Sequence, residues 1–113
     1  MKEITGLTDN PKQSLFFVLE NNTTFSLYLE FRANVNGWVY SITKDSFKLN
    51  NKRLVMSPNI LFQFTNILNF GITVISNDGQ DPNSVDDFIT ERVRLFVIEN
   101  TEKKEIEDEF FKG

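Results

Sequence analysis

The sequence predicts an all-β fold, a small antiparallel barrel or sandwich of about six strands with one or two short helices and a charged C-terminal tail. Three observations carry that prediction. Thr24 to Arg32 alternates without a break, Phe25, Leu27, Leu29 and Phe31 against Thr24, Ser26, Tyr28, Glu30 and Arg32, the period of a strand with one buried face. Turn sequences rich in asparagine, Asn21-Asn22 and Asn34-Val35-Asn36-Gly37, separate three consecutive apolar runs, as antiparallel hairpins require. The chain has 113 residues, enough for one domain with one core. Residues 1–99 are read as a single β-domain and residues 100–113 as a charged, helix-forming tail.

The elements follow in order. Thr5 to Pro11 is turn-rich and reads as a lead-in. Gln13 to Glu20 is apolar on both alternating sets, the pattern of a strand buried on both faces or packed against a neighbouring subunit. After the alternating strand comes a third, Trp38 to Thr43, with Trp38, Tyr40 and Ile42 on one face. Phe47-Lys48-Leu49 is short and extended, Asn50-Asn51 is read as a turn, and Arg53 to Met56 as another short strand ending before Pro58. In Asn59 to Phe70, Ile60, Leu61, Phe64, Ile67 and Leu68 fit a helical stripe with Asn59 as N-cap and Gly71 as stop, so a short helix is expected. Ile72 to Ile75 and Arg92 to Glu99 are the last strands. In the tail Ile106 and Phe110 stand four residues apart, spaced to dock on something, with Phe111 beside them. On this reading, truncation after Asn100 leaves the fold intact and weakens assembly.

Composition narrows the chemistry. Cys and His are both absent, which removes disulfides, thiolate nucleophiles, Cys/His zinc sites and histidine acid–base catalysis. No cofactor or metal is expected. A net charge of −4 provides no field for phosphate, so neither nucleic acid nor a membrane is an expected partner. Met1 to Lys12 lacks the apolar run of a signal peptide, and a soluble, cytosolic site of synthesis is expected. Twelve Phe against two Tyr and one Trp must go into a core, a subunit interface, or both.

Three constellations bear on function. The segment Ser76 to Phe88 holds Asp78, Asp81, Asp86 and Asp87 with Asn and Gly, a composition that suits calcium. The ligand order of an EF-hand is missing, however, and a structural reading accounts for more: Asp78, Gly79, Asp81 and Pro82 form a loop, and Ser84 with Asp87 make a capping pair ahead of Val85, Phe88 and Ile89. Asp78 and Asp81 as a catalytic pair would require a concave carboxylate site. Trp38 and Tyr40 could provide a stacking platform for a carbohydrate or a single-stranded nucleic acid, the alternative to a structural role, and such a platform requires both rings at the surface.

These residues are similar to a known family. Gly37-Trp38-Val39-Tyr40 in an early strand, Leu54-Val55, the segment Pro58 to Leu61, the loop Ser76-Asn77-Asp78-Gly79-Gln80-Asp81-Pro82, the turn Asp86-Asp87-Phe88 and the strand Arg92-Val93-Arg94-Leu95 together resemble the small baseplate plug family of contractile-tailed bacteriophages. The likeness runs from about Ile4 to Ile98; the long charged tail and the enrichment in Asn and Phe depart from it. It implies a non-enzymatic virion protein of the tail baseplate, made in the host cytoplasm. Such a protein would form a homo-oligomer, trimeric or hexameric, about the tail axis and would contact hub or tube-initiating proteins. Phe16, Phe17, Trp38, Phe110 and Phe111 are the expected interface anchors, since buried aromatics dominate protein contacts.

Overall fold

The computed structural model describes residues 1–19 and 22–110. Within them, β1 (Lys2–Glu3), β2 (Lys12–Val18), β3 (Thr24–Arg32), β4 (Gly37–Lys44), β5 (Phe47–Arg53), β6 (Phe70–Ser76) and β7 (Val93–Glu99) are followed by one helix, α1 (Asn100–Phe110). The strands form two antiparallel sheets, one in the order β2-β3-β4-β5 and one in the order β1-β7-β6. The sheets face each other as a sandwich and, among the described residues, do not close into a barrel.

Alternation puts the core where the sequence placed it. Phe25, Leu27 and Leu29 of β3 and Trp38, Tyr40 and Ile42 of β4 turn inward and meet Phe70, Ile72 and Val74 of β6 and Val93, Leu95 and Val97 of β7. Two aromatic columns run through the core, the first of them joining the sheets. In one, Phe17 stacks on Phe25 with centroids 4.8 Å apart, and Phe25 on Phe70 at 4.1 Å. In the other, Trp38 lies between Phe31 and Phe88 at 5.6 and 4.7 Å. Offset and edge-on ring pairs of this kind add about 0.5–1.5 kcal/mol beyond their buried area.

Three local expectations are corrected. Asn50-Asn51 is not a hairpin turn, and Arg53 to Met56 is not a separate strand. β5 runs continuously to Arg53 with a register shift opposite Tyr40 and Ile42, where Asn51 takes the left-handed φ of 55° and donates its N–H to Ser41 Oγ at 3.0 Å. An asparagine that tolerates αL can insert a bulge as readily as it can end a strand. The hairpin reversal falls instead at Asp45, with φ 53°.

The segment 59–70 is a series of turns with one 3-10 helix, Phe62–Phe64, in place of an α-helix. Asn59 Oδ1 accepts from Leu61 N at 3.0 Å, as a cap would, but also from Ile72 N at 3.2 Å, which ties the segment to β6. Aromatic and β-branched residues at Phe62, Phe64, Thr65 and Ile67 have little helical preference of their own with which to prolong it.

At Ser84 to Glu91 the chain makes turns and no helix. Asp87 N bonds Ser84 O and Thr90 N bonds Asp86 O, and the segment ends at Glu91, whose φ is 61°. The helix expected after Ser84 is thus reduced to a turn that hands the chain to β7.

Candidate functional site

β2 turns its two alternating sets to different uses. Gln13, Leu15 and Phe17 face the core side, while Lys12, Ser14, Phe16 and Val18 face solvent on the outer surface of the sheet. Phe16 is 67% exposed and Val18 63%, and Tyr28 of the neighbouring strand is exposed on the same face. The outward Phe16 and Val18 gain nothing from the chain's own core. A second apolar surface lies across the molecule, a groove of about 410 Å³ walled by Met56, Pro58, Ile75, Ile106 and Phe110.

The acidic loop is organised around Arg92. Its Nε donates to Asp87 Oδ1 at 2.9 Å, Nη1 to Asp78 Oδ1 at 2.7 Å, and Nη2 to Asn83 Oδ1 at 3.1 Å and the Asp81 carbonyl at 3.3 Å. One guanidinium thereby takes up two of the four Asp carboxylates that composition offered to a cation, those of Asp78 and Asp87. Asp87 is enclosed and its Oδ2 also accepts from Asn83 N and Ser84 N at 2.7 and 2.8 Å. The Ser84 N contact is half of a capping box; the other half is absent, because Ser84 Oγ bonds Asp86 Oδ1 at 2.6 Å. Hydrogen bonds from Ser76 Oγ and Gln80 N, with the Arg92 charge, hold the Asp78 carboxyl below its ordinary range. Asp81 Oδ1 accepts from Met56 N at 2.9 Å, Gly79 supplies the positive φ of 74° that the loop needs, and Pro82 is buried. Among the described residues no three acidic side chains converge as metal ligands, and Asp78 and Asp81 both spend an oxygen on the chain's own donors.

The helix is held by polar groups. Lys103 Nζ donates to the carbonyls of Thr65 at 2.9 Å and Leu68 at 2.5 Å, and Glu107 accepts from Asn59 Nδ2 at 3.0 Å and Thr65 Oγ1 at 2.7 Å. Lys103 and Glu107 are both buried, and burial lowers the Lys103 pKa, opposed in part by the Glu107 charge. The ammonium of Met1 pairs with Glu102 in the first turn.

Of the residues expected at an interface, Phe16 and Phe110 present exposed rings, 67% and 61%. Phe17 is half-buried in the aromatic column, and Phe111 lies outside the described residues. Trp38 departs from the expectation. Its ring is fully enclosed and its Nε1 donates to Ser84 O at 2.9 Å, so it joins the acidic loop to the core and has no surface for a partner. Tyr40 is buried beside it, with its hydroxyl pushed up to about 12 by burial, and the stacking platform required of those two rings is not formed.

Sequence reasoning missed Arg92 as the centre of the loop and the pair Lys103 and Glu107. Both left a signal. Arg92 is the first cation after a segment with four Asp, and Lys103 and Glu107 share the i,i+4 face of Ile106 and Phe110.

The fold and these surfaces define a small β-sandwich structural protein, its acidic loop held together internally by Arg92 and its unspent apolar side chains outside. A family model described as cyanophage baseplate Pam3 plug gp18 matches residues 1–101. The chain belongs to this family and is a structural component of the phage tail baseplate, where it interacts with other baseplate or tail proteins. No curated protein matches it. Among the described residues no helix is long and apolar enough to cross a membrane.

Proposed function

We propose that the chain acts as a non-enzymatic plug or connector that assembles into a homo-oligomer, trimeric or hexameric, about the tail axis and contacts hub or tube-initiating proteins. The observation that carries this reading is the outer face of β2, where Phe16 and Val18 stand in solvent although inward-facing neighbours of the same strand reach the core. Exposed large apolar groups clustered on one face are characteristic of interaction surfaces. The aromatic Phe16 has the chemistry of an interface anchor, and the groove bearing Phe110 offers a second surface for a different neighbour. Two unlike surfaces suit a protein that must contact both its own copies and other subunits.

Light scattering of the isolated chain across a wide concentration range tests the reading. Self-association is expected, and a clean monomer at the highest concentration would count against it. Binding of isolated hub or tube-initiating proteins to the chain tests the remaining contacts, and their failure to bind would restrict the role to self-assembly.

A further inference from the structure

We propose that the free edge of β2 pairs with β2 of a second copy, antiparallel, with Phe16 opposite Phe16 on the two-fold axis. This rests on the homo-oligomer reading and names the surface through which two copies meet. Leu19 N donates to Thr23 O and Phe31 N to Pro11 O, so in the register that sets Leu15 opposite Leu27 the odd-numbered residues of β2 spend their backbone groups on β3. The even-numbered ones point the other way. Lys12 N is taken by Asn10 Oδ1 at 3.0 Å, which leaves Ser14, Phe16 and Val18 with both N–H and C=O directed away from β3 and without a hydrogen-bond partner among the described residues. An unpaired row of this kind is a template for another strand.

The other long edges are managed. β5 carries Lys48, Lys52 and Arg53 and a bulge, and the edge of β6 is covered by the Ser57 bridge to Val74 and by Ile60 N donating to Ile72 O. β1 is two residues long.

The row of three is symmetric about Phe16. An antiparallel second copy sets Ser14 opposite Val18, Phe16 opposite Phe16 and Val18 opposite Ser14, each an exchanging pair, and merges two four-stranded sheets into one. The two Phe16 rings then lie side by side on the outer face, each flanked on its own sheet by the small Ser26. Charge permits it. The chain carries −4 overall, but the only charge in β2 is Lys12, and the antiparallel register places the two Lys12 at opposite ends, roughly 25 Å apart at about 3.3 Å per residue and so beyond the screening length. Two-fold pairing requires an even number of copies, which selects a hexamer over a trimer.

The chain has no cysteine, so single substitutions report the register. Under oxidation Phe16→Cys chains crosslink to one another, Ser14→Cys chains do not, and a mixture of Ser14→Cys with Val18→Cys does. Ser14→Pro removes an N–H that β3 does not use, and Phe16→Lys places charge on the axis; each weakens self-association at least about tenfold by sedimentation while the thermal transition is retained. An oligomer whose mass survives both substitutions, with no Phe16→Cys crosslink, overturns the pairing and leaves the homo-oligomer reading standing. A monomeric wild-type chain overturns both.

Discussion

At Gly71 a β-carbon would lie 2.6 Å from Asn59 Oδ1, because the Asn59 amide is pressed against the β6 backbone whose Ile72 N–H it accepts. Gly71→Ala is therefore expected to cost about 1–3 kcal/mol, read from urea unfolding, since neither the strand nor the doubly bonded amide can move aside. Arg92 faces the opposite problem. Asp87 is enclosed, and removing its guanidinium leaves a carboxylate with no counter-charge. Arg92→Met is expected to lose about 3–5 kcal/mol, and Arg92→Lys to recover little, because a single ammonium cannot reach Asp87, Asp78 and Asn83 together. Asp78 sets an acid limit on the same loop. Its carboxyl is depressed below the unfolded value of 3.8, so its contribution is fully present above that pH and is lost as pH falls through the folded value. Asp78→Asn should remove that part of the acid-induced loss of stability, and an unchanged pH profile would contradict the assignment. The single Trp offers a cheaper reading: enclosed Trp38 should emit blue-shifted fluorescence that moves to the red on unfolding.

Among the elements, the one with the clearest alternation was legible. β3 follows the inward and outward sets of its sequence, because burial on one face enforces a period of two, whereas β4 and β7 keep their predicted inward residues but also bury Val39 and Ile98 on the other face. The segments decided by single side chains were not. Asn59 turned an expected helix into turns by bonding two backbone N–H groups thirteen residues or fewer away, and Asn51 made a bulge where a turn was read. At the acidic loop the four Asp were visible, but which carboxylates Arg92 pairs with, Asp78 and Asp87, is a tertiary contact to which its place just after them in the sequence is only a pointer. The helix is the clearest case. Its composition was readable, yet its attachment runs through Lys103 and Glu107, where the apolar Ile106 and Phe110 were expected to do the anchoring. The expected tolerance of truncation after Asn100 changes accordingly. Removing α1 strips Asn59 Nδ2 and the Thr65 and Leu68 carbonyls of their partners and uncovers β6 and β7, so a loss on the order of 3 kcal/mol is expected, with Glu107→Ala alone costing about 1–3 kcal/mol.

For the molecule as a whole, nine of the twelve Phe sort into three groups by location. Phe25, Phe70 and Phe88 are buried, Phe17, Phe31, Phe47 and Phe64 pack against them, and Phe16 and Phe110 remain outside on two separate surfaces. Core demand accounts for the first two groups, and the proposed assembly would use the last. The family identity supplies the setting, a phage baseplate, while the β2 edge supplies a physical reason for copies of this chain to adhere. The most direct test is a cryo-electron microscopy map of the tail tip of a virion that carries this chain. The account predicts its sandwich on the tail axis, in an even number of copies with β2 strands paired through Phe16. A tip in which the chain is absent, or present as isolated copies with every β2 edge facing solvent, would contradict it.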